Sequence, residues 1–353
     1  MIEPAIPENR RVIRVGWVGL GPFSFYGGYI TVMNDIERRY NFLNMRVTHI
    51  WGDDYHKNFK GSPEYVKRMI DYWHHGEHTP EYMAGKYNIP HVCKDYREMA
   101  DEVDAAMIMD FDRAYELAEP FITRGLPIFL CSPVAVSVPE CERILDLAEK
   151  HGAAVYSGSF TTDMHENQTR YGKISREKVA SFFASTSHHF YTSYANDGLE
   201  PVYRMIGHGV RSVSLHGWDG SNGYDPDGIP LSRIHLEYEP RGDMPPIQGT
   251  LTLGGFKKEM EWYKVYYHDH TVVEGVTNWT RRELTHRDFL VQLQDVFATN
   301  VSPETREDIL TKLKVVIAGY KSANEGNRPV RLDEVRDYRL PTVRIEFWDK
   351  PPG

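Results

Sequence analysis

The stretch Arg14-Val15-Gly16-Trp17-Val18-Gly19-Leu20-Gly21-Pro22-Phe23-Ser24 decides the fold of this chain. Val15 and Val18, with Trp17 between them, form an apolar, β-prone run that reads as a buried strand and ends in Gly-x-Gly. Gly19 lets the chain turn tightly out of a sheet, and Gly21 leaves no Cβ where a pyrophosphate would meet the start of the next helix. Ser24 stands where a third glycine serves helix packing, a position that accepts a small residue. The pattern predicts a dinucleotide site lined by Gly19, Gly21, Pro22, Phe23 and Ser24. A plain strand-to-turn connection would use the same glycines for their dihedrals alone.

The next segment adds weight to the nucleotide reading. Arg46-Val47-Thr48-His49-Ile50-Trp51 predicts a second strand, and Asp53 and Asp54 follow it where a carboxylate accepts hydrogen bonds from an adenosine ribose. Two acids there repel a ribose 2′-phosphate, so the expected cofactor is NAD rather than NADP. The same two acids can also serve as turn caps.

Further along, strand and helix alternate to about residue 158. Asp104 to Met109, Pro127 to Cys131 and Ala153 to Ser157 read as strands, and Tyr115 to Arg124 and Pro139 to His151 as helices, the second opened by Pro139-Glu140 and stopped by Gly152. Such alternation implies a doubly wound parallel sheet, a Rossmann-like domain over residues 1–158 with an insertion near 55–82. Beyond residue 158 the pattern changes. Val179 to His189, Arg211 to Trp218, Ile234 to Tyr238, Gly249 to Leu253 and Glu261 to Tyr267 are β-rich runs without intervening helices. They predict an α+β domain over 159–353 with a large open, mostly antiparallel sheet. Helices return at Thr285 to Ala298 and at Pro303 to Asn324, the latter with Ser302 as expected N-cap.

Composition narrows the functional classes. With 353 residues, two domains are the natural division. A net charge of −9 and no basic patch argue against nucleic acid or an anionic membrane as partner. No apolar run reaches the ~20 residues of a membrane span, and the first residues carry no secretory pattern, so a cytoplasmic protein is expected. Cys93, Cys131 and Cys141 have no metal-ligand spacing and fit reduced thiols. The 22 Tyr and 7 Trp could serve as stacking platforms for a carbohydrate or as core.

Taken in order, several segments resemble the Gfo/Idh/MocA family of sugar oxidoreductases over nearly the whole chain. They are Val15 to Gly21, Tyr87-Asn88-Ile89-Pro90 with Asp95-Tyr96, Val103-Asp104-Ala105, Gly125-Leu126-Pro127-Ile128, the run Leu145 to Gly152, and Ala318-Gly319-Tyr320-Lys321-Ser322-Ala323 leading to Arg331-Leu332. The resemblance implies an N-terminal Rossmann domain, a C-terminal domain with an open sheet, bound NAD(P), and hydride transfer at a sugar or polyol carbon. A homo-oligomer, dimer or tetramer through the C-terminal sheet, is expected.

Three positions depart from the family pattern. The family's Glu-Lys-Pro aligns with Cys131-Ser132-Pro133, so Ser132 stands at the lysine position, and a hydroxyl cannot by itself replace an ammonium as general acid or base. The family's Asp-x-x-x-His aligns with Arg204-Met205-Ile206-Gly207-His208, which keeps only the histidine. Its Thr-Pro-Asn aligns with Asp110-Phe111-Asp112, placing two carboxylates toward the cofactor, awkward for binding a dianion. Ser132, Pro133 and Asp110 are therefore cofactor-edge candidates, Ser132 and Asp110 with altered chemistry.

His208 is the first candidate for proton transfer, since imidazole accepts and donates near neutral pH. Tyr203, Asp163 and His165 are secondary catalytic candidates. Arg204, His188 and Trp279 are candidates for substrate contact. His268 and His270, two apart on an expected strand, would share a face and invite a divalent metal. The leading expectation is an NAD-dependent oxidoreductase acting on a sugar, polyol or glycoside. The alternatives are a redox-independent carbohydrate lyase or hydrolase on the same fold, with or without a metal, and a non-catalytic sugar or NAD binder.

Overall fold

The computed structural model describes residues 11–19, 26–34, 43–52, 79–159, 174–186, 191–217, 232–253, 260–278 and 282–340. Among them, β1 (Ile13–Val18) is the centre of a parallel sheet with β2 (Met45–Trp51), β3 (His91–Val92), β4 (Ala105–Ile108), β5 (Ile128–Leu130) and β6 (Val155–Tyr156), in the order β3-β2-β1-β4-β5-β6. Val15, Trp17, Ala105, Ala106 and Met107 are fully buried, as strands covered on both faces require. Sequence order reverses between β1 and β4, which opens a crevice at the carboxyl ends of those strands. This is the expected doubly wound sheet.

The helices follow from local chemistry. Helix α1 (Tyr26–Met33), α2 (Pro80–Tyr87) and α3 (Tyr96–Met99) precede α4 (Ala114–Ile122) and α5 (Val138–His151) in the chain. In α5 the Ser137 hydroxyl accepts the Glu140 N–H, Pro139 occupies the first turn, and Gly152 closes the end at φ 68°. The expected insertion at 55–82 lies outside the described residues except for its last few.

The second sheet has the order β12-β11-β7-β10-β9-β8-β13. Its strands are β7 (Val179–Thr186), β8 (Val210–His216), β9 (Ser232–Tyr238), β10 (Gln248–Leu253), β11 (Met260–Tyr267), β12 (Val272–Asn278) and β13 (Val330–Arg331). All pairs are antiparallel except β7 with β10, which agrees with the expected, mostly antiparallel sheet. Helix α6 (Tyr191–Ile206) and helix α8 (Arg306–Asn324) cover its inner face, where Val213, Leu215, Ile234, Leu236 and Leu251 are buried. The outer face carries Phe183 stacked on Trp262 at 5.1 Å, and Tyr266 and Val272 are exposed there.

Three features differ from the sequence reading. α6 and β12 were not expected. Helix α8 begins at Arg306, not Pro303, because Thr305 and Asp308 form a reciprocal capping box, while the Ser302 hydroxyl is engaged with the Glu304 N–H. Helix α7 (Arg282–Thr299), from the C-terminal half of the chain, packs on the first sheet: Phe289 stands 5.0 Å from Tyr29 and 5.4 Å from Phe129. No helix among the described residues is long and apolar enough to cross a membrane.

Candidate functional site

The crevice is drawn together by backbone bonds at the strand ends. Gly19 donates its N–H to Trp51 O at 2.8 Å, Met109 to Val18 O at 2.8 Å, and Cys131 to Ile108 O at 3.0 Å. Gly19 adopts φ +92°, and a Cβ there would stand 2.9 Å from Asp110 Cβ and 3.3 Å from Asp110 N. Only glycine lets β1 and β4 approach so closely at this turn. Ser132 and Pro133 follow β5 on the same edge, joined by a cis peptide bond. Gly21, Pro22, Phe23, Ser24, Asp53 and Asp54 lie outside the described residues.

Asp110 does not meet the expectation of a carboxylate turned on the cofactor. It is 3% exposed, accepts the Asp112 N–H at 3.1 Å, and pairs with Arg113 at 3.2 Å. Its role as N-cap of the short turn Phe111–Arg113 directs the carboxylate into that turn. Arg113 in turn lies over the Trp51 ring, 5.5 Å from its centroid. The negative charge is thus neutralised beside the crevice.

His208 stands at the other end of the sheet. Asn300 binds Ala154 N–H, Gly125 O and Gly152 O, all at the starts of β5 and β6, and α8 begins just after it. Arg306, at the start of α8, pairs with Asp146 and Glu149 on the late turns of α5. The far end of α8 lies toward the first turns of α5: Asn324 bonds Tyr338, and Arg336 nearby pairs with Glu142. Helix α8 therefore climbs toward the cofactor edge. Glu200 meets Lys312 and His208 meets Asp308 at 2.6 Å, so α6 runs down against α8. The first turns of α6 point to the cofactor edge, whereas His208, beyond Gly207 at φ 84°, ends at the opposite one.

There His208 is exposed and stacks on Tyr203 at 5.5 Å. Asp308 is held below the ordinary carboxylate range: burial pushes it up, but the Thr305 N–H and hydroxyl and the neighbouring His208 and Lys312 outweigh that. Arg204 lies in the last turns of α6. The structure brings Tyr203 and His208 together and leaves both away from the crevice.

His268 and His270 do not share a strand face. β11 ends at Tyr267, and the two residues belong to an exposed turn in which His270 takes φ 67° and Asp269 accepts the Thr271 N–H at 2.9 Å. That turn reverses the chain into β12. Among the described residues no group of three or more His, Cys, Asp or Glu is placed to hold a metal. Asp163, His165, His188 and Trp279 lie outside the described residues.

Two further features were not read from the sequence. Lys312, Glu200 and Glu304 form a buried ion cluster against Ser157, at the carboxyl end of β6. Its signal is a lysine between Ile309 and Leu313, inside the apolar stripe of α8. Asn196, one turn above Glu200 on α6, is 2% exposed, and among the described residues neither polar atom of its side chain has a hydrogen-bond partner. An unpaired buried amide of this kind costs about 1–3 kcal/mol.

Residues 13–159 match the family model described as an oxidoreductase family with an NAD-binding Rossmann fold. A comparison with curated proteins found no match. Among solved structures, a probable dehydrogenase from Thermotoga maritima superposes with a TM-score of 0.65 at 13% identity, covering 92% of this chain and 100% of its own. Myo-inositol 2-dehydrogenase from Lactobacillus plantarum gives 0.66 at 13% identity, covering 91% and 99%. Scyllo-inositol dehydrogenase from Lactobacillus casei, with bound NAD(H) and scyllo-inositol, gives 0.63 at 12% identity over 91% and 99%. At such identities the likeness is one of fold.

Proposed function

We propose, from the match of residues 13–159 to the oxidoreductase family with an NAD-binding Rossmann fold, that the chain is of the Gfo/Idh/MocA type and transfers hydride between NAD and a hydroxyl-bearing carbon of a sugar or polyol. The observation that carries the reading is the strand order with its reversal between β1 and β4, and Gly19 at positive φ beside it. When bound, NAD supplies the hydride acceptor or donor. The residues present fit the group: Gly19 at φ +92° turns the chain out of β1 beside the crevice, and Asp110 keeps its charge on Arg113. Asp53 and Asp54 are assigned to the adenosine ribose, and Gly21, Pro22, Phe23 and Ser24 to the diphosphate loop.

On the substrate side, the inositol dehydrogenases among the structural neighbours favour a polyhydroxylated ligand. Asn196 offers a buried donor and acceptor that hydroxyl groups could satisfy. Ser132 can hydrogen-bond a substrate hydroxyl but cannot hold a proton at neutral pH as a lysine does. His208, paired with Asp308 at the far edge, does not supply that proton. Asp163 and His165, which follow β6 in the sequence, are the residues the reading retains for proton transfer. Arg204, His188 and Trp279 rank after Asn196 for substrate contact. The aromatic outer face of the second sheet is the surface through which a homo-oligomer forms in this reading.

Calorimetric titration with NAD and NADP, followed by nicotinamide reduction across a panel of inositols, hexoses and linear polyols, tests the proposal. Tighter binding of NAD and turnover of at least one member are expected. Absence of NAD binding overturns the reading. Binding without any turnover replaces it with a non-catalytic sensor.

A further inference from the structure

We infer that Lys312 is a positioning residue: it registers the substrate-side helix α6 against the end of β6, and so sets the width of the cleft between the two sheets. The inference rests on the proposed function for the reaction affected, and on geometry for the clamp itself. Three stretches far apart in the sequence converge on one ammonium. The Lys312 Nζ donates to Glu200 on α6, to Glu304 ahead of α8, and to the carbonyl of Ser157 at 3.4 Å. Glu304 also accepts the Ser157 N–H at 2.6 Å and its hydroxyl at 3.0 Å. Ser157 follows β6 at the cofactor edge. Both domains are therefore gripped by the same four groups.

The cluster is buried: Lys312 is 2% and Glu200 5% exposed. Apolar side chains of the same volume would close this seam with equal or better stability, since desolvation cancels most of the Coulomb gain of a buried pair. What an ionic cluster adds is directionality. A Leu or Met tolerates sliding of α6 along α8, whereas an ammonium gripped by two carboxylates and a carbonyl does not, because any displacement leaves a buried charge unpaired. Glu200 is one turn from Asn196 and lies midway along α6, whose first turns reach the cofactor edge. A shift at Glu200 is thus passed to the first turns of α6 at the cofactor edge, where a misplacement of about 1 Å costs on the order of 100-fold in rate. Lys312 does not itself reach the reacting atoms.

The test compares Glu200→Gln, Lys312→Met and Lys312→Arg in the full-length protein. Glu200→Gln is the discriminating variant, because it weakens the tie to α6 while leaving the Lys312 pair with Glu304. In it, kcat/KM on the accepted polyol should fall at least about tenfold while the NAD Kd stays within about threefold, since the Rossmann edge is untouched. Lys312→Met should lose more, and Lys312→Arg should recover part of the loss. If Lys312→Met does not fold, Glu200→Gln decides alone. Unchanged turnover in a folded Glu200→Gln overturns the inference, as does a parallel loss of NAD affinity and turnover. Should the wild-type protein oxidise no polyol, the reaction falls and the clamp is judged by hydrogen exchange. Faster exchange confined to residues 191–206 in Glu200→Gln, with 105–108 unchanged, supports it, and equal exchange in the two proteins overturns it.

Discussion

Asp110 carries a charge that the Rossmann edge hides. In sequence it stands where a carboxylate faces the cofactor diphosphate, yet Arg113 and the Asp112 N–H absorb it. Asn at this position keeps a good cap and removes the charge. Asp110→Asn is therefore expected to leave the NAD Kd within about threefold, measured by calorimetry, because no net repulsion is relieved. A tightening of tenfold or more would show that the carboxylate does oppose the dianion. A second residue-scale case is His49, buried on β2 between the Thr48 hydroxyl and Glu102 and stacked on His91 at 4.6 Å. Burial lowers its pKa, with the His91 ring adding to the shift, and the Glu102 hydrogen bond only partly opposes it. The unfolded chain protonates this imidazole near its ordinary value of about 6.5, while the folded state holds it neutral to lower pH. Below that value the unfolded state binds more protons, so stability rises with pH through the window and is lost on acidification. His49→Gln should lose less melting temperature than wild type between about pH 7.5 and 5.5. Equal losses would remove His49 from the account.

Helix α8 shows how an element can be legible in kind and misread at its end. The sequence places its start at Pro303 behind Ser302, whereas the Thr305–Asp308 box, which satisfies two N–H groups, sets it at Arg306. Thr305→Ala is expected to cost about 1 kcal/mol in urea unfolding. An unchanged midpoint would mean that packing against β8 and α5 fixes this end without the cap. The same physics sorts the other elements. β1 and Gly19 could be read because a strand buried on both faces is an unbroken apolar run, and the turn after it needs a glycine. α6 could not be read. Asn196, Gly198 and Pro201 interrupt it, and its polar residues Glu200 and Asn196 are buried by tertiary partners rather than by the helix's own pattern. That loss displaced the site. Without the helix end at Ile206, alignment with the family's Asp-x-x-x-His leaves His208 as the proton-transfer candidate and Arg204 as a substrate contact, and hides the position of His208 at the far edge. His268 and His270 failed for a related reason, since the strand stopped one residue short of them.

Across the whole molecule, the division of the sequence at residue 158 does not divide the core. One face of the first sheet is closed by α7, whose Phe289, Leu290, Leu293, Val296 and Phe297 are buried with Val15, Trp17, Met45, Phe129 and Tyr156. Periodicity marks α7 as a helix but says nothing of the sheet it covers, because its partners lie more than a hundred residues away. The physical consequence is a dependency: residues 1–159 alone would bare a face that contains Trp17 and Tyr156, both wholly buried in the intact chain. Exposed apolar faces of this kind leave a chain collapsed but loosely packed. A fragment of residues 1–159 is accordingly expected to keep far-ultraviolet helical signal, lose near-ultraviolet dichroism, bind a hydrophobic dye and show no NAD affinity. Fusing residues 282–300 to it through a flexible linker should restore near-ultraviolet dichroism and NAD binding together, and Phe289→Ala in that fusion should lose about 3–5 kcal/mol of the stability regained. A fragment 1–159 that melts cooperatively and binds NAD unaided would show that α7 decorates the first sheet rather than completing it.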